Sequence, residues 1–282
     1  MVSVSVVIPV FNRAHSIGRA IESALQQQGS IRSVNVVVVN DGSSDDLKGA
    51  LAPYGDRVRL LEHQTNLGAA AARNTGVAAA RDELIAFLDS DDVWLPGKLD
   101  TQVAVMQRRG WRASCTACWL HRDGRAPVIS PRYREGPLTL DHLVWGCFVS
   151  PGSTLVFDRA LADEVGPLYA DLSRLEDWDW LLRYCRRYPL GFVADPFARV
   201  AASSFTDTEK LLAAIVLIRE RHLKHLPQPL RRHFAAALDM EKAAALYRAG
   251  GRLSVVVPLL SSLMRVPVGH QGAAAILRNR LG

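Results

Sequence analysis

The chain has 282 residues, 49% of them apolar and 22% charged, with a net charge of +6. That length suits one large domain, or a domain with an appendage, and supplies ample core. No apolar stretch approaches the roughly 20 residues of a membrane-spanning helix, and no basic start or cleavage site marks a secretory leader, so a cytoplasmic chain is expected.

The charge is uneven. Residues 1–205 carry 22 Lys/Arg against 23 Asp/Glu, net −1, whereas residues 206–282 carry 12 against 5, net +7. No aromatic-interleaved basic patch accompanies the excess, so nucleic acid is not an expected partner. The four cysteines include one lone pair, Cys115 and Cys118, with no second pair or histidines at metal spacing. Buried thiols are expected there, not zinc.

In chain order, Val4–Ile8 reads as a first strand and Ser16–Gln28 as a helix with Ile17, Ala20, Ile21, Ala24 and Leu25 on one face. Val34–Val39 is a β-branched second strand, closed by Asn40-Asp41-Gly42-Ser43. Asp45 to about Ala52 is a short helix, Arg57–Leu61 a third strand, and Leu67–Ala80 a helix despite Gly76. Leu84–Leu88 is a fourth strand, and Pro96 at a first helical position opens a helix to about Arg108. This alternation predicts an α/β fold with a mostly parallel sheet wrapped by helices. Its strands end in polar loops along one edge, where open sheets bind ligands. Strands of a mixed sheet are expected at 112–120 and 152–157, with a loop at 124–137 between them. A helix over Glu176–Tyr188 and short strands near 191–200 follow. From about Thr206 the pattern is helical and basic, with apolar stretches at Leu211–Ile218 and Leu253–Val266. The expected division is a main domain over 1–205 and a helical extension over 206–282, whose apolar stretches pack on the main domain or lie on an anionic membrane surface.

Five polar segments carry chemistry. At Phe87-Leu88-Asp89-Ser90-Asp91-Asp92 an apolar run stops at three carboxylates. If the chain stays extended, Asp89 and Asp91 project to one side. Their mutual repulsion asks for a cation, and Mg²⁺ or Mn²⁺ suits oxygen ligands shared with a substrate's phosphates. The plain alternative is a polar turn with a helix-capping Asp. Pro9-Val10-Phe11-Asn12 ends the first strand, where Phe11 can stack on a base or simply pack inward. Asp41 can accept the ring N–H of uracil or thymine, or merely close an Asx turn. Arg73 either faces water or reaches a diphosphate. Glu176-Asp177-Trp178-Asp179-Trp180 opens a helix, where acids are favoured whatever the function. Its tryptophans imply partial burial and offer faces for sugar rings.

In series these segments resemble the family-2 glycosyltransferases with the GT-A fold, over roughly residues 4–200. The likeness rests on Val7-Ile8-Pro9-Val10-Phe11-Asn12-Arg13, Val39-Asn40-Asp41-Gly42-Ser43-Ser44-Asp45, Phe87-Leu88-Asp89-Ser90-Asp91-Asp92 and Glu176-Asp177-Trp178-Asp179. Asn66-Leu67-Gly68 and Arg73-Asn74-Gly76 match between the second and third. The resemblance implies a nucleotide-sugar donor held by Pro9, Phe11, Asn12, Asp41, Arg73, Asp89 and Ser90. It implies Mg²⁺ or Mn²⁺ on Asp91, with Asp89 shared between ribose and metal, and Asp177 as general base in an inverting, non-processive transfer. Glu176 and Trp178 become contacts for a glycan or lipid-linked acceptor, and Asp92 a helix-start residue.

The chain also departs from the pattern. Arg13 stands where many members carry an acid, and Asn40 replaces an acid before Asp41. No Gln-x-x-Arg-Trp follows Asp177, and residues 197–203 lack the histidine often found after the last strand. A nucleotidyltransferase would want a Gly-rich loop after the first strand, which Phe11-Asn12-Arg13-Ala14-His15 does not provide. A non-catalytic nucleotide-sugar binding module would predict a broken acid set, yet Asp89, Asp91 and Asp177 are present. Acceptor selection is expected near 124–152, with Arg132, Arg134, Trp145 and Ser153 as candidates.

Overall fold

The computed structural model describes residues 1–27, 29, 31–122, 124–201, 207–250 and 255–265. Its contacts divide the chain into two compact units. The first comprises Met1–Pro137, Val149–Ala170 and Tyr188–Ala202, and the second Leu138–Phe148, Asp171–Arg187 and Ser203–Gly282. The segments 138–148 and 171–187, expected within a 1–205 domain, group with the C-terminal helices.

In the first unit, β1 (Ser3–Val10), β2 (Ser33–Asp41), β3 (Val58–His63) and β4 (Leu84–Phe87) form a parallel block in the order β3-β2-β1-β4. The crossovers are α1 (Ala14–Leu25), α2 (Leu47–Leu51) and α3 (Ala69–Ala79). Beyond β4 the sheet turns mixed. β9 (Val156–Asp158) runs antiparallel between β4 and β6 (Ala113–His121), and β10 (Leu190–Ala201) lies parallel to β6. β5 (Val93–Trp94) closes the path against β10, while β7 (Val128–Ser130) pairs with β6 and β8 (Gly136–Leu138) with β10. Helix α4 (Lys98–Arg109) follows β5, and the short α6 (Pro151–Thr154) and α7 (Leu161–Val165) flank β9.

The alternation of β1 explains its place at the centre. Val4, Val6, Ile8 and Val10 face a core that includes Ile17, Ala20, Ile21 and Ala24 of α1 and Leu99, Val103 and Met106 of α4. Each buried Val, Ile, Leu or Met side chain among them contributes roughly 1.5–3 kcal/mol. Val7 points the other way, towards α3, and this contact requires Gly76. A Cβ there would sit 2.3 Å from Val7 Cγ1.

Several boundaries differ from expectation. The fourth strand stops at Phe87, and Asp89–Asp92 is a turn closed by Asp92 N–H donating to Asp89 O at 3.1 Å. Residues 152–157 divide into α6 and β9, because Pro151 starts a helical turn in which Thr154 Oγ1 bonds back to Ser150 O. The 124–137 loop holds β7 and the start of β8, and 191–200 is one strand with register shifts near Pro196. Pro96 precedes the helix instead of opening it, since Gly97 (φ +79°) intervenes as the cap.

The second unit is helical: α5 (Leu140–Leu143), α8 (Glu176–Cys185), α9 (Thr208–His222), α10 (Leu230–Arg248) and α11 (Val256–Arg265). Trp178 of α8 is fully buried, edge-on to Phe234 of α10, and its indole N–H donates to Leu143 O at 2.7 Å. That packing draws α8 to the C-terminal helices. Among the described residues no helix is long and apolar enough to cross a membrane.

Candidate active site

The first unit gathers three loops at the carboxyl ends of β1, β2 and β4. Asn12 adopts a left-handed conformation (φ 52°), uncommon outside glycine, and its strain is held by neighbours. Its N–H donates to Ser43 Oγ at 3.0 Å and its Oδ1 accepts from Ser44 N–H at 2.8 Å. Asp45 Oδ2 accepts from Ala14 N–H at 2.7 Å, satisfying an orphan donor in the first turn of α1. Phe11 is left 44% exposed at the edge, whereas Pro9 is buried within β1.

Asp41 is buried and braces its own chain. Oδ1 accepts from Leu67 N–H at 2.9 Å and pairs with His63 Nδ1 at 2.7 Å, while Oδ2 accepts from Gly68 N–H at 2.8 Å. His63 Nε2 meets Thr75 Oγ1 at 2.9 Å, which ties this brace to α3. Asp41 therefore does not form the expected Asx turn: its carboxylate braces the distant segment at Leu67 and Gly68, while Asn40 Oδ1 takes the local turn bond from Ser43 N–H at 2.9 Å.

The acidic turn is matched cation by cation. Arg73, expected either in water or on a phosphate, is buried and donates from Nη2 to Asp89 Oδ1 at 2.7 Å, its guanidinium 5.7 Å from the Phe87 ring centre. Arg13 reaches across to pair with Asp91. Ser90 is buried, its carbonyl accepting from Ser16 Oγ at 3.1 Å. The turn sends Asp89 and Asp91 to different arginines, correcting the expectation of an extended segment with both on one side.

Asp92 is also corrected. It is not a helix-start residue but a buried acid, accepting from Ala201 N–H at 2.9 Å and bonded to Ser153 Oγ. Burial, then the negative charge of Asp89, pushes its carboxyl up to about 8, so it is held protonated near neutral pH. Ser153, expected at an acceptor surface, is buried here and receives Asp89 N–H at 3.0 Å. Its neighbour Gly152 carries no motif in the sequence. A Cβ on Gly152 would lie 2.4 Å from Asp89 Oδ2 and 3.0 Å from Arg73 Nη2, so only glycine leaves room for that pair. A run of small residues, Gly152-Ser153-Thr154, was the one local signal.

These residues fit a cation in a restricted way. Asp89 and Asp91 supply the hard oxygen ligands that Mg²⁺ and Mn²⁺ prefer. Among the described residues no group of three or more His, Cys, Asp or Glu could hold a metal. The donor set therefore suits an ion that completes its shell from a diphosphate and water. Residues 202–203 of the histidine-lacking segment lie outside the described residues.

In the second unit, Glu176 and Asp177 are half-buried in the first turn of α8, with Asp177 Oδ1 accepting from Trp178 N–H at 2.7 Å. Leu175, immediately before them, is the other non-glycine residue with positive φ (64°) among those described. The full burial of Trp178 corrects its assignment to an acceptor, because neither ring face is open. Trp145 is likewise engaged, stacked 4.4 Å from the His233 ring. Behind Asp177 lies a buried network. Asp179 Oδ2 accepts from Arg183 Nε at 2.9 Å, and Asp179 Oδ1 meets His222 Nε2 at 2.7 Å. His222 Nδ1 faces Arg186 Nη2 at 3.0 Å. Arg can only donate, so Nδ1 accepts and Nε2–H is left to donate to Asp179.

A family model, Glycosyl transferase family 2, matches residues 5–166. The UDP-Glc:alpha-D-GlcNAc-diphosphoundecaprenol beta-1,3-glucosyltransferase WfgD of Escherichia coli is 38% identical over 104 residues, 36% of this chain and 40% of that protein. Across the first three curated relatives the chain spans 66%, 59% and 40% of their length. Among solved structures, S. aureus TarS 1–349 in complex with UDP-GlcNAc aligns with TM-score 0.71 at 19% identity, covering 99% of this chain and 89% of that one. The mannosyltransferase PcManGT from Pyrobaculum calidifontis, in complex with GDP-Man and Mn²⁺, aligns with TM-score 0.61 at 16% identity, covering 99% and 86%. The expected GT-A fold is thus the one found.

Proposed function

The chain belongs to glycosyl transferase family 2, and on that premise we propose that it moves one sugar from a nucleotide-diphosphate donor to a hydroxyl of a glycan or lipid-linked acceptor. The observation that carries this reading is the pairing of Asp89 with Arg73 and of Asp91 with Arg13 at one sheet edge. Two carboxylates and two guanidiniums in one place suit a diphosphate together with its counter-ion. Phe11 and Asn12 supply the base side. UDP or dTDP stands ahead of GDP, in line with the UDP-Glc donor in the name of the Escherichia coli relative.

Asp177 is the proposed general base. It takes the acceptor's hydroxyl proton as that oxygen bonds to the anomeric carbon, and the bond from that carbon to the diphosphate oxygen breaks on the opposite face, inverting the centre. Asp91 and Asp89 would hold Mg²⁺ or Mn²⁺, which when bound offsets the charge gathering on the departing diphosphate. Glu176, half-buried beside the base, is the remaining acceptor contact on α8. The lipid-diphosphate acceptor in the name of the Escherichia coli relative favours a lipid-linked acceptor here too. Residues 206–282, with 12 Lys/Arg against 5 Asp/Glu, would then touch the inner face of an anionic membrane from the cytoplasm.

A thermal-shift panel of sugar nucleotides, with and without Mn²⁺, tests the proposal. A true donor raises Tm by mass action. The reading fails if no UDP-, dTDP- or GDP-linked sugar shifts Tm even with metal present.

A further inference from the structure

Helix α11 is built inside out. Its serines turn inward onto α10: Ser262 Oγ donates to Ala236 O at 3.0 Å and Ser261 Oγ to Asp239 Oδ2 at 2.7 Å. Pro258 is buried and Leu259 half-buried, but other apolar residues of the helix face outward. Val257, Leu260 and Met264, spaced three and four apart on one face, are 74%, 53% and 82% exposed. A helix of a globular protein ordinarily shows the reverse pattern. Exposed apolar side chains gathered on one face, unlike scattered single ones, mark an interaction surface.

The charges of the two packed helices name the partner. On α10 the exposed ionic side chains are Arg231, Arg232, Lys242 and Arg248, while both of its acids, Asp239 and Glu241, are buried. Asp239 is occupied by Arg219 at 2.6 Å and Arg265 at 3.1 Å. Helix α11 itself holds no acid. Among the described residues, the charged side chains that these two helices show solvent are therefore all cationic, beside the apolar stripe. A second copy of the chain would bring like charge against like charge. An anionic lipid surface offers both what the stripe lacks and what the cations attract.

We propose that α11 lies in the interfacial layer of an anionic membrane, with Val257, Leu260 and Met264 inserted between headgroups and the basic side chains of α10 supplying the attraction. This deepens the membrane contact proposed for residues 206–282 and rests on it. The inserted stripe, and not net charge alone, is the new element.

The test is flotation of the full chain with phosphatidylglycerol-containing vesicles and with phosphatidylcholine vesicles, at low and high salt. The native chain should float with the anionic vesicles and stay behind with the neutral ones. Leu260→Gln combined with Met264→Gln should lower the fraction bound at least tenfold while the donor-induced Tm shift stays unchanged. Equal flotation of the variant overturns the inserted stripe but leaves a purely electrostatic membrane contact standing. Failure of the native chain to float overturns both. Should the double variant fold poorly, Val257→Trp provides a second reading: its additional emission should shift to the blue on anionic vesicles, and an unshifted emission refutes insertion. A native dimer in sedimentation that Leu260→Gln dissociates would assign the stripe to a second copy and also overturn the proposal.

Discussion

Arg13, in the loop after β1, forms an ion pair with Asp91, the acid proposed as a metal ligand. The guanidinium stands where many relatives of this family carry an acid, and it neutralises the carboxylate that a cation would need. Both side chains remain partly exposed, so the pair is worth at most about 1 kcal/mol. A free cation must displace that arginine, and removing it should raise affinity by no more than about fivefold. Arg13→Ala should therefore tighten Mn²⁺ binding about two- to fivefold without nucleotide, read by titration calorimetry. Unchanged affinity would show that Arg13 and the cation do not compete.

Gly152 lies directly against the other pair. A methyl placed 2.4 Å from Asp89 Oδ2 must push that carboxylate off Arg73. Gly152→Ala should weaken donor binding about tenfold, roughly 1.4 kcal/mol, with Tm falling by only a few degrees. Donor affinity equal to that of the native chain would mean that the Asp89–Arg73 geometry is not used.

Asp177→Asn separates chemistry from binding. The amide keeps the shape of α8 but cannot take a proton at neutral pH, so turnover should fall by about 10²–10⁴. The donor-induced Tm shift, which reports residues of the other unit, should persist. Retained turnover would remove Asp177 from the base role.

His222 braces the turn that carries Asp177, from the last residue of α9. His222→Phe removes a donor from the buried Asp179 carboxylate and should cost about 2–3 kcal/mol in urea unfolding. His222→Gln, which can present an N–H near the same place, should recover part of it. Equal losses in both variants would show that ring packing against Phe234, at 6.1 Å, matters more than the hydrogen bond.

Lys98 is fully buried, with Nζ 2.8 Å from Gln102 Oε1 and 4.1 Å from the Trp94 ring centre. Burial pulls its ammonium down to about 7. The unfolded chain keeps its lysine near 10.4. Between those values the unfolded state binds more protons, so this residue's contribution to stability rises with pH, by up to about 1.4 kcal/mol per pH unit. Below pH 7 the cost of a buried ammonium is present in full and the contribution is flat. Lys98→Met should thus stabilise the protein most at pH 7 and progressively less towards pH 9, measured from urea midpoints. A pH-independent difference would mean that Lys98 titrates normally.

Local pattern was enough for much of this protein. Val34–Val39 and Leu84–Leu88 announce strands, and Ile17, Ala20, Ile21 and Ala24 a helix face, because side-chain periodicity depends only on near neighbours in sequence. The order of Asp41, Asp89, Asp91 and Asp177 along the chain was likewise legible, and it led to the family. Tertiary structure alone decided what each acid meets. Arg13 and Asp91 are 78 residues apart, Asp92 and Ala201 109, and Asp179 and His222 43. Such partners are set by strand register and helix packing, which no local window contains. The same holds for Trp178, whose place in the first turn of α8 gave no sign that Phe234 and the Leu143 carbonyl would enclose it. The outward stripe of α11 could not be read from composition either. Its alternation of apolar residues and serines fits a helix facing in either direction, and only the bonds from Ser261 and Ser262 into α10 fix which side meets solvent.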